Sequence, residues 1–331
     1  MAEPCRSARA ACVVDTLRDA VHATEFTTGA RAGLVALAIT VVVGLVWWRL
    51  RPTASPLPIV GLAATAAAAY AVRDAVFLPD RVVLALSLLT VAGLVVDVFR
   101  LPVLYLLVAA IPGAIVLDSA PAPLEMRWVR LLVFATTVLG GVALASFDRR
   151  WARHGLGAPL VALWAAGVYM TVPDTEAALA VLGATLVVAI GAWPLRLGSF
   201  GACGALPMAG LIAWSSRFAG TGRPSSIVGA VACIGFIAVE PATRMLRRGG
   251  PGPIDVLARP ERGQWWTLPA VVPVQLVLVF VAARVAGLGH RVDRAVAIVA
   301  AEGILALAVS LLVTSRYRQK DQSSTTKPTD L

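Results

Sequence analysis

The chain has 331 residues, of which 58% are hydrophobic and only 15% charged, and Lys plus Arg outnumber Asp plus Glu by 29 to 19. That composition lies outside the range of soluble globular domains. The +10 formal charge sits in short breaks between apolar runs, which points to membrane topology and anionic headgroups at a cytoplasmic face rather than to nucleic acid. Four cysteines without a CxxC pair, and only three histidines, argue against a zinc site or a disulfide framework, so neither a metal nor another cofactor is expected.

Residues 1–31 are charge-balanced and hold no apolar core of signal-peptide length, so they read as an extracytoplasmic N-terminal segment. From 32 to 314 apolar stretches recur, near 32–48, 57–72, 82–98, 101–117, 128–147, 158–172, 176–193, 200–215, 226–243, 268–288 and 295–314. A hydrocarbon core about 30 Å thick takes about 20 helical residues to cross. The stretches are continuous rather than alternating, which fits helices and not a barrel. The expectation is an all-α, polytopic transmembrane bundle of about 11 spans. The segment 249–266, rich in Gly and Pro at its start, reads as a loop lying on the membrane, and the polar residues 315–331 as a disordered cytoplasmic tail.

Orientation follows from the breaks. Alternate breaks carrying Arg49, Arg51, Arg100, Arg149, Arg150, Arg153, Arg196, Arg244, Arg247, Arg248, Arg259, Arg262 and the Arg316–Lys327 tail hold most of the cations. The intervening breaks hold fewer, among them Arg73, Arg81, Arg127, Arg130, Arg217 and Arg223. The positive-inside bias therefore places the N-terminus outside and the C-terminus in the cytoplasm. Trp47, Trp48, Trp151, Trp193, Trp265 and Trp266 fall at the cytoplasmic ends of spans, where indoles favour the headgroup level.

A weak self-similarity recurs at an offset of about 95 residues: Pro79-Asp80 with Pro173-Asp174, Arg100 with Arg196, Ile111-Pro112 with Leu206-Pro207. It suggests a parallel repeat of four helices, 57–153 and 157–248, with the hairpin 268–314 opening like a third copy. In transporters interrupted helices at equivalent places form the binding site. Pro112 and Pro207 are the kinked-helix candidates on that logic.

Two further groups of residues could carry chemistry. Asp80, Asp174, Glu176 and Asp293 stand at outer helix starts, where capping is the ordinary role and an acidic reaction surface the sharper one. Glu302 lies well inside the last span, and a carboxylate at that depth is costly enough to imply a function or a partner. Arg284, at similar depth on the adjacent antiparallel span, is the expected partner in an intramembrane charge pair. No nucleotide-binding glycine loop and no HExxH occurs.

The resulting expectation is a multi-pass protein of a bacterial plasma (inner) membrane that transports a small molecule or translocates a lipid-linked precursor. The alternatives are an enzyme acting on a lipid-linked substrate at the outer face, or a non-catalytic subunit bound to partner membrane subunits. Reporter fusions test the orientation: a phosphatase fused after Leu331 should be inactive and one at Thr175 active. The reverse pattern would overturn the topology.

Overall fold

The computed structural model describes residues 24–50, 59–75, 79–121, 126–151, 156–172, 176–192, 200–217, 224–247, 252–257 and 266–325, and among them there is no strand. The helices are α1 (Thr24–Leu50), α2 (Ile59–Ala75), α3 (Asp80–Val98), α4 (Val103–Asp118), α5 (Arg127–Ala135), α6 (Gly141–Trp151) and α7 (Gly157–Thr171). They continue with α8 (Glu176–Ala192), α9 (Gly201–Ser216), α10 (Pro224–Ala232), α11 (Phe236–Leu246), the short α12 (Pro253–Leu257), α13 (Thr267–Ala286) and α14 (Val292–Thr325). A π-helical turn, Thr136–Gly140, joins α5 to α6 in one continuous rod.

The described parts of the apolar stretches lie mainly on helices, with 226–243 divided between α10 and α11, but only some of the helices have full membrane length. Among the described residues, Asp80–Val98, Arg127–Arg150, Thr267–Ala286 and Val292–Arg316 are long and apolar enough to cross a bilayer. The bent pair α10–α11, with 60° between its halves, makes a fifth if it counts as one span. Several others are shorter, from 15 residues in α7 to 17 in α2 and α8. At about 1.5 Å per residue such helices reach about 23–26 Å.

The core is organised around α9, whose residues from Gly201 to Ser216 are all buried. It packs against α2, α3, α6 and the π-helical turn, with further contacts to α4, α5, α7, α8 and α10. This is possible because its sequence, GACGALPMAGLIAWSS, is dominated by small residues that let backbones approach closely. At the α2 crossing Gly204 meets Gly61, and a Cβ added at Gly61 would stand 2.8 Å from the Gly204 Cα.

Both ends of α9 are tied by charge. Gly201 starts the helix with φ +70°, a left-handed conformation that glycine adopts without strain. Its N–H donates to Asp148 Oδ2 at 2.7 Å, and the Cys203 N–H donates to Asp97 Oδ2 at 3.1 Å. Two carboxylates thus satisfy first-turn donors that would otherwise be orphaned and complement the positive end of the helix dipole. Arg149 stands 3.6 Å from Asp97 Oδ1. The next residue, Arg150, turns to Asp255 Oδ1 at 3.9 Å. Asp255 in α12 also meets Arg244, which donates through Nε to Glu240 Oε1 at 2.7 Å. At the opposite end Arg217 donates to the Asp118 and Ala120 carbonyls, 3.3 Å each, at the C-terminus of α4.

Three expectations are corrected. The parallel repeat has no counterpart in the packing. Helix α7 lies along α8, yet α2 and α3, their supposed equivalents, do not lie along each other. Helix α9 is wholly buried, whereas its supposed equivalent α4 exposes Leu104, Tyr105, Val108 and Ile115. Low-complexity apolar sequence aligns with itself without sharing a fold. The tail expected to be disordered from 315 is helical to Thr325, because adding a residue to an existing helix costs little and Arg, Lys and Gln are good helix formers. Within the segment 249–266, expected to be a loop, residues Pro253–Leu257 form α12, docked by Asp255 and by the Ile254 N–H on Glu240 Oε2.

The close approach at Gly204 is directly testable. Gly204→Leu forces backbone movement and should cost about 1–3 kcal/mol or more, read as a lowered Tm in detergent. Gly303→Leu, where an added Cβ meets nothing within 4 Å, should leave Tm unchanged.

Candidate functional site

The main irregularity of the bundle is the interruption between α10 and α11. Gly235, at φ +44°, takes a conformation that a residue with a Cβ resists, and the chain tightens before and after it. Ile234 and Gly235 donate to the carbonyls of Val231 and Ala232, and Ile237 and Ala238 to those of Ile234 and Gly235, in three-residue steps. Gln275 reaches across from α13 to repair the gap. Its Nε2 donates to the Cys233 carbonyl at 2.8 Å, and its Oε1 accepts the Phe236 N–H at 2.8 Å. Its side chain is fully buried, and it stands in for the missing peptide group.

A second irregularity faces this one. In the π-helical turn Gly140 lies against Ile234 and Trp164, so that an added Cβ would stand 3.1 and 3.3 Å from them. The Trp164 indole donates to the Ala230 carbonyl at 3.4 Å, and Thr136 Oγ1 in the same turn is buried with no hydrogen-bond partner. π-Helical turns are frequent at functional sites because they misalign the helix ladder locally. Here one meets a broken helix.

Glu302 approaches from the third side. Helix α14 turns one stripe toward the bundle: Ala295, Val299, Glu302, Ala306, Ser310 and Thr314, spaced three or four residues apart, while residues between them are largely exposed. It leans on α10, α11 and α12 as well as on α13. Its inward stripe brings the Glu302 carboxylate within electrostatic reach of Cys233 at the break. Glu302 Oε1 is buried and has no hydrogen-bond partner. On the same stripe Ser310 is hydrogen-bonded to Thr243 at 2.8 Å, and the Leu311 carbonyl accepts from Arg247 at 3.0 Å.

The expected Arg284–Glu302 pair is not formed. Arg284 is exposed, with its guanidinium 5.0 Å from the centroid of the Phe280 ring, and no ion pair joins it to Glu302 among the described residues. Arg284 lies in the last turn of α13 and Glu302 is the eleventh residue of α14, so the two do not stand at the same height. The proline candidates also move. α4 runs unbroken through Pro112 and α9 through Pro207, so neither residue interrupts its helix. A proline removes one backbone bond, which neighbouring helices tolerate, whereas the real break needs a left-handed glycine. Gly235 inside an apolar stretch was the available sequence signal.

The outer acids stay apart. Asp80 and Asp293 are exposed in the first turns of α3 and α14, where a negative charge suits the helix dipole. Glu176 opens α8, but its side chain and Asp174 lie outside the described residues. Asp80 and Glu302 stand on helices that do not pack along each other. No group of three or more His, Cys, Asp or Glu side chains able to hold a metal occurs among the described residues.

The arrangement therefore offers a carboxyl group inside an apolar helix of membrane-spanning length, without a fixed partner, beside a broken helix whose own polar groups are bonded. Gln275→Leu should strand the Cys233 carbonyl and the Phe236 N–H, and each unpaired buried group costs about 1–3 kcal/mol. A lowered Tm in detergent is expected, and an unchanged Tm would mean that the gap is not held by Gln275. No protein-family model matches the chain, and no curated protein matches it.

Proposed function

We propose that the chain is a multi-pass protein of a bacterial plasma (inner) membrane that moves a small molecule or a lipid-linked precursor across the bilayer. In this reading it has about eleven spans, the N-terminus outside and the C-terminus in the cytoplasm. The cytoplasmic arginines meet anionic headgroups, and the short helices cross where the bundle shields them from lipid. The observation that carries the reading is the interrupted α10–α11 pair with Glu302 unpartnered beside it. An interrupted helix and an ionisable group at mid-depth are the features that substrate and ion pathways use. The enzyme reading draws less support, because Asp80 and Asp293 are exposed at separate helix starts.

Solute counterflow tests the proposal. The purified chain would be reconstituted into liposomes preloaded with a polar metabolite extract, and uptake of labelled extract compared with protein-free liposomes by mass spectrometry. A parallel assay would follow flipping of a polyprenyl-phosphate sugar. At least one species should accumulate or flip faster with the protein, and Glu302→Gln should slow it about tenfold or more while the Tm is held, as removal of a pathway carboxyl would. Liposomes indistinguishable from empty ones in both assays would overturn the reading.

A further inference from the structure

We infer that Glu302 is a proton-binding site within the bundle, and that the ion coupled to the transport reading above, on which this inference rests, is a proton rather than a metal cation. The geometry separates the two. A metal ion in a protein interior needs several oxygen ligands, about six to eight for calcium and six for magnesium. The oxygens of the break are already engaged. The Gly229 carbonyl accepts from Cys233, Ala230 from Trp164, Val231 from Ile234, Ala232 from Gly235 and Cys233 from Gln275. Gln275 Oε1 holds the Phe236 N–H. A cation at Glu302 would therefore share carbonyl oxygens that already accept hydrogen bonds, and the carboxylate is the one acidic group there among the described residues. A proton needs only the carboxylate, and it removes the charge whose burial is costly.

The charged and titratable groups on the surrounding elements leave Glu302 to itself. Helix α10 carries none, and the break contributes the Cys233 thiol. On α11 and α12, Glu240, Arg244 and Asp255 are bonded to one another, and Arg247 donates to the Leu311 carbonyl. On α13, Arg284 lies over Phe280. No described cation is paired with Glu302 to hold it ionised, and the inward stripe of α14 keeps its Oε1 out of solvent. Helix α14 is otherwise mostly exposed to its surroundings, so the site lies one helix thickness from the lipid.

Dicyclohexylcarbodiimide tests this without any substrate, since it is apolar and attacks protonated carboxyl groups from the lipid phase. The carboxyl proton passes to a carbodiimide nitrogen as the oxygen adds to the central carbon. The O-acylisourea then rearranges to an N-acylurea that retains the whole reagent, with no leaving group. The intact wild-type protein in liposomes would be treated across a pH series, and the adduct located by peptide mass spectrometry. Labelling at Glu302 should fall by about tenfold or more as pH rises from about 6 to about 9, following the protonated fraction, and should be insensitive to sodium or potassium at about 0.1 M. Absence of label at Glu302 at every pH, label that does not change with pH, or protection by either cation would each overturn the inference. Mapping is done on the wild-type chain, so it stands even if Glu302→Gln fails to fold. Counterflow with no labelling would remove the proton site alone, and labelling with silent counterflow would remove only the transport reading.

Discussion

The complete burial of α9 is the constraint on which the rest of the bundle depends. A helix with no face left for lipid must be surrounded, and GACGALPMAGLIAWSS can be surrounded because glycines and alanines let neighbouring backbones close in. Burial also removes water from its termini, so the peptide groups there need partners supplied by the protein. Asp148 and Asp97 serve one end, and the Arg217 guanidinium ties the other to the end of α4. The position of α9 thus fixes α3, α4 and α6 at once.

The same requirement explains how arginines are used at the Asp97–Asp148 end. Arg149 and Arg150 are consecutive, so they point in different directions around the end of α6, one to Asp97 and the other to Asp255. Through Asp255 the second reaches Arg244 and Glu240, and so the base of α11. Two adjacent residues therefore connect the capped end of the central helix to the lower half of the interrupted one. Partly buried pairs of this kind contribute less to net stability than to specifying which helices meet, since removing one partner leaves an unpaired charge.

Much of the architecture could be read from the sequence. The apolar stretches gave the helices, because backbone polar groups in an apolar setting leave a helix as the local solution. Glu302 stood out for the same reason in reverse, as a charge at a depth where charge is costly. What failed depended on helix ends and partner choice. Arg284 lies in the last turn of α13, beside the hairpin turn, whereas Glu302 is the eleventh residue of α14 and stands deeper in the bundle, a difference that hydropathy without fixed helix ends does not give. Pro112 and Pro207 looked like breaks, yet the true break sits at Gly235, where the φ required is visible only in three dimensions. Gln275, buried and bonded on both sides, looked like one polar residue among others because its partners are backbone atoms about forty positions away. The tail beyond 315 was judged by composition alone, although it continues a helix already formed.

The 16 residues of α9 also have an electrical meaning. At about 1.5 Å per residue, its charged ends stand about 24 Å apart, less than the roughly 30 Å of a bilayer's hydrocarbon core. In the proposed membrane placement, polar groups at both ends shorten the insulating layer, and the membrane voltage falls more steeply through the centre of this bundle than through lipid beside it. Glu302, the eleventh residue of α14, stands near the middle of the 25-residue apolar segment Val292–Arg316. A proton reaching it from either side crosses about half of the field, worth about 1.2 kcal/mol per 100 mV. For the proton site inferred above, occupancy would then be set by voltage as well as by pH, and an energised membrane would load it differently from a depolarised one.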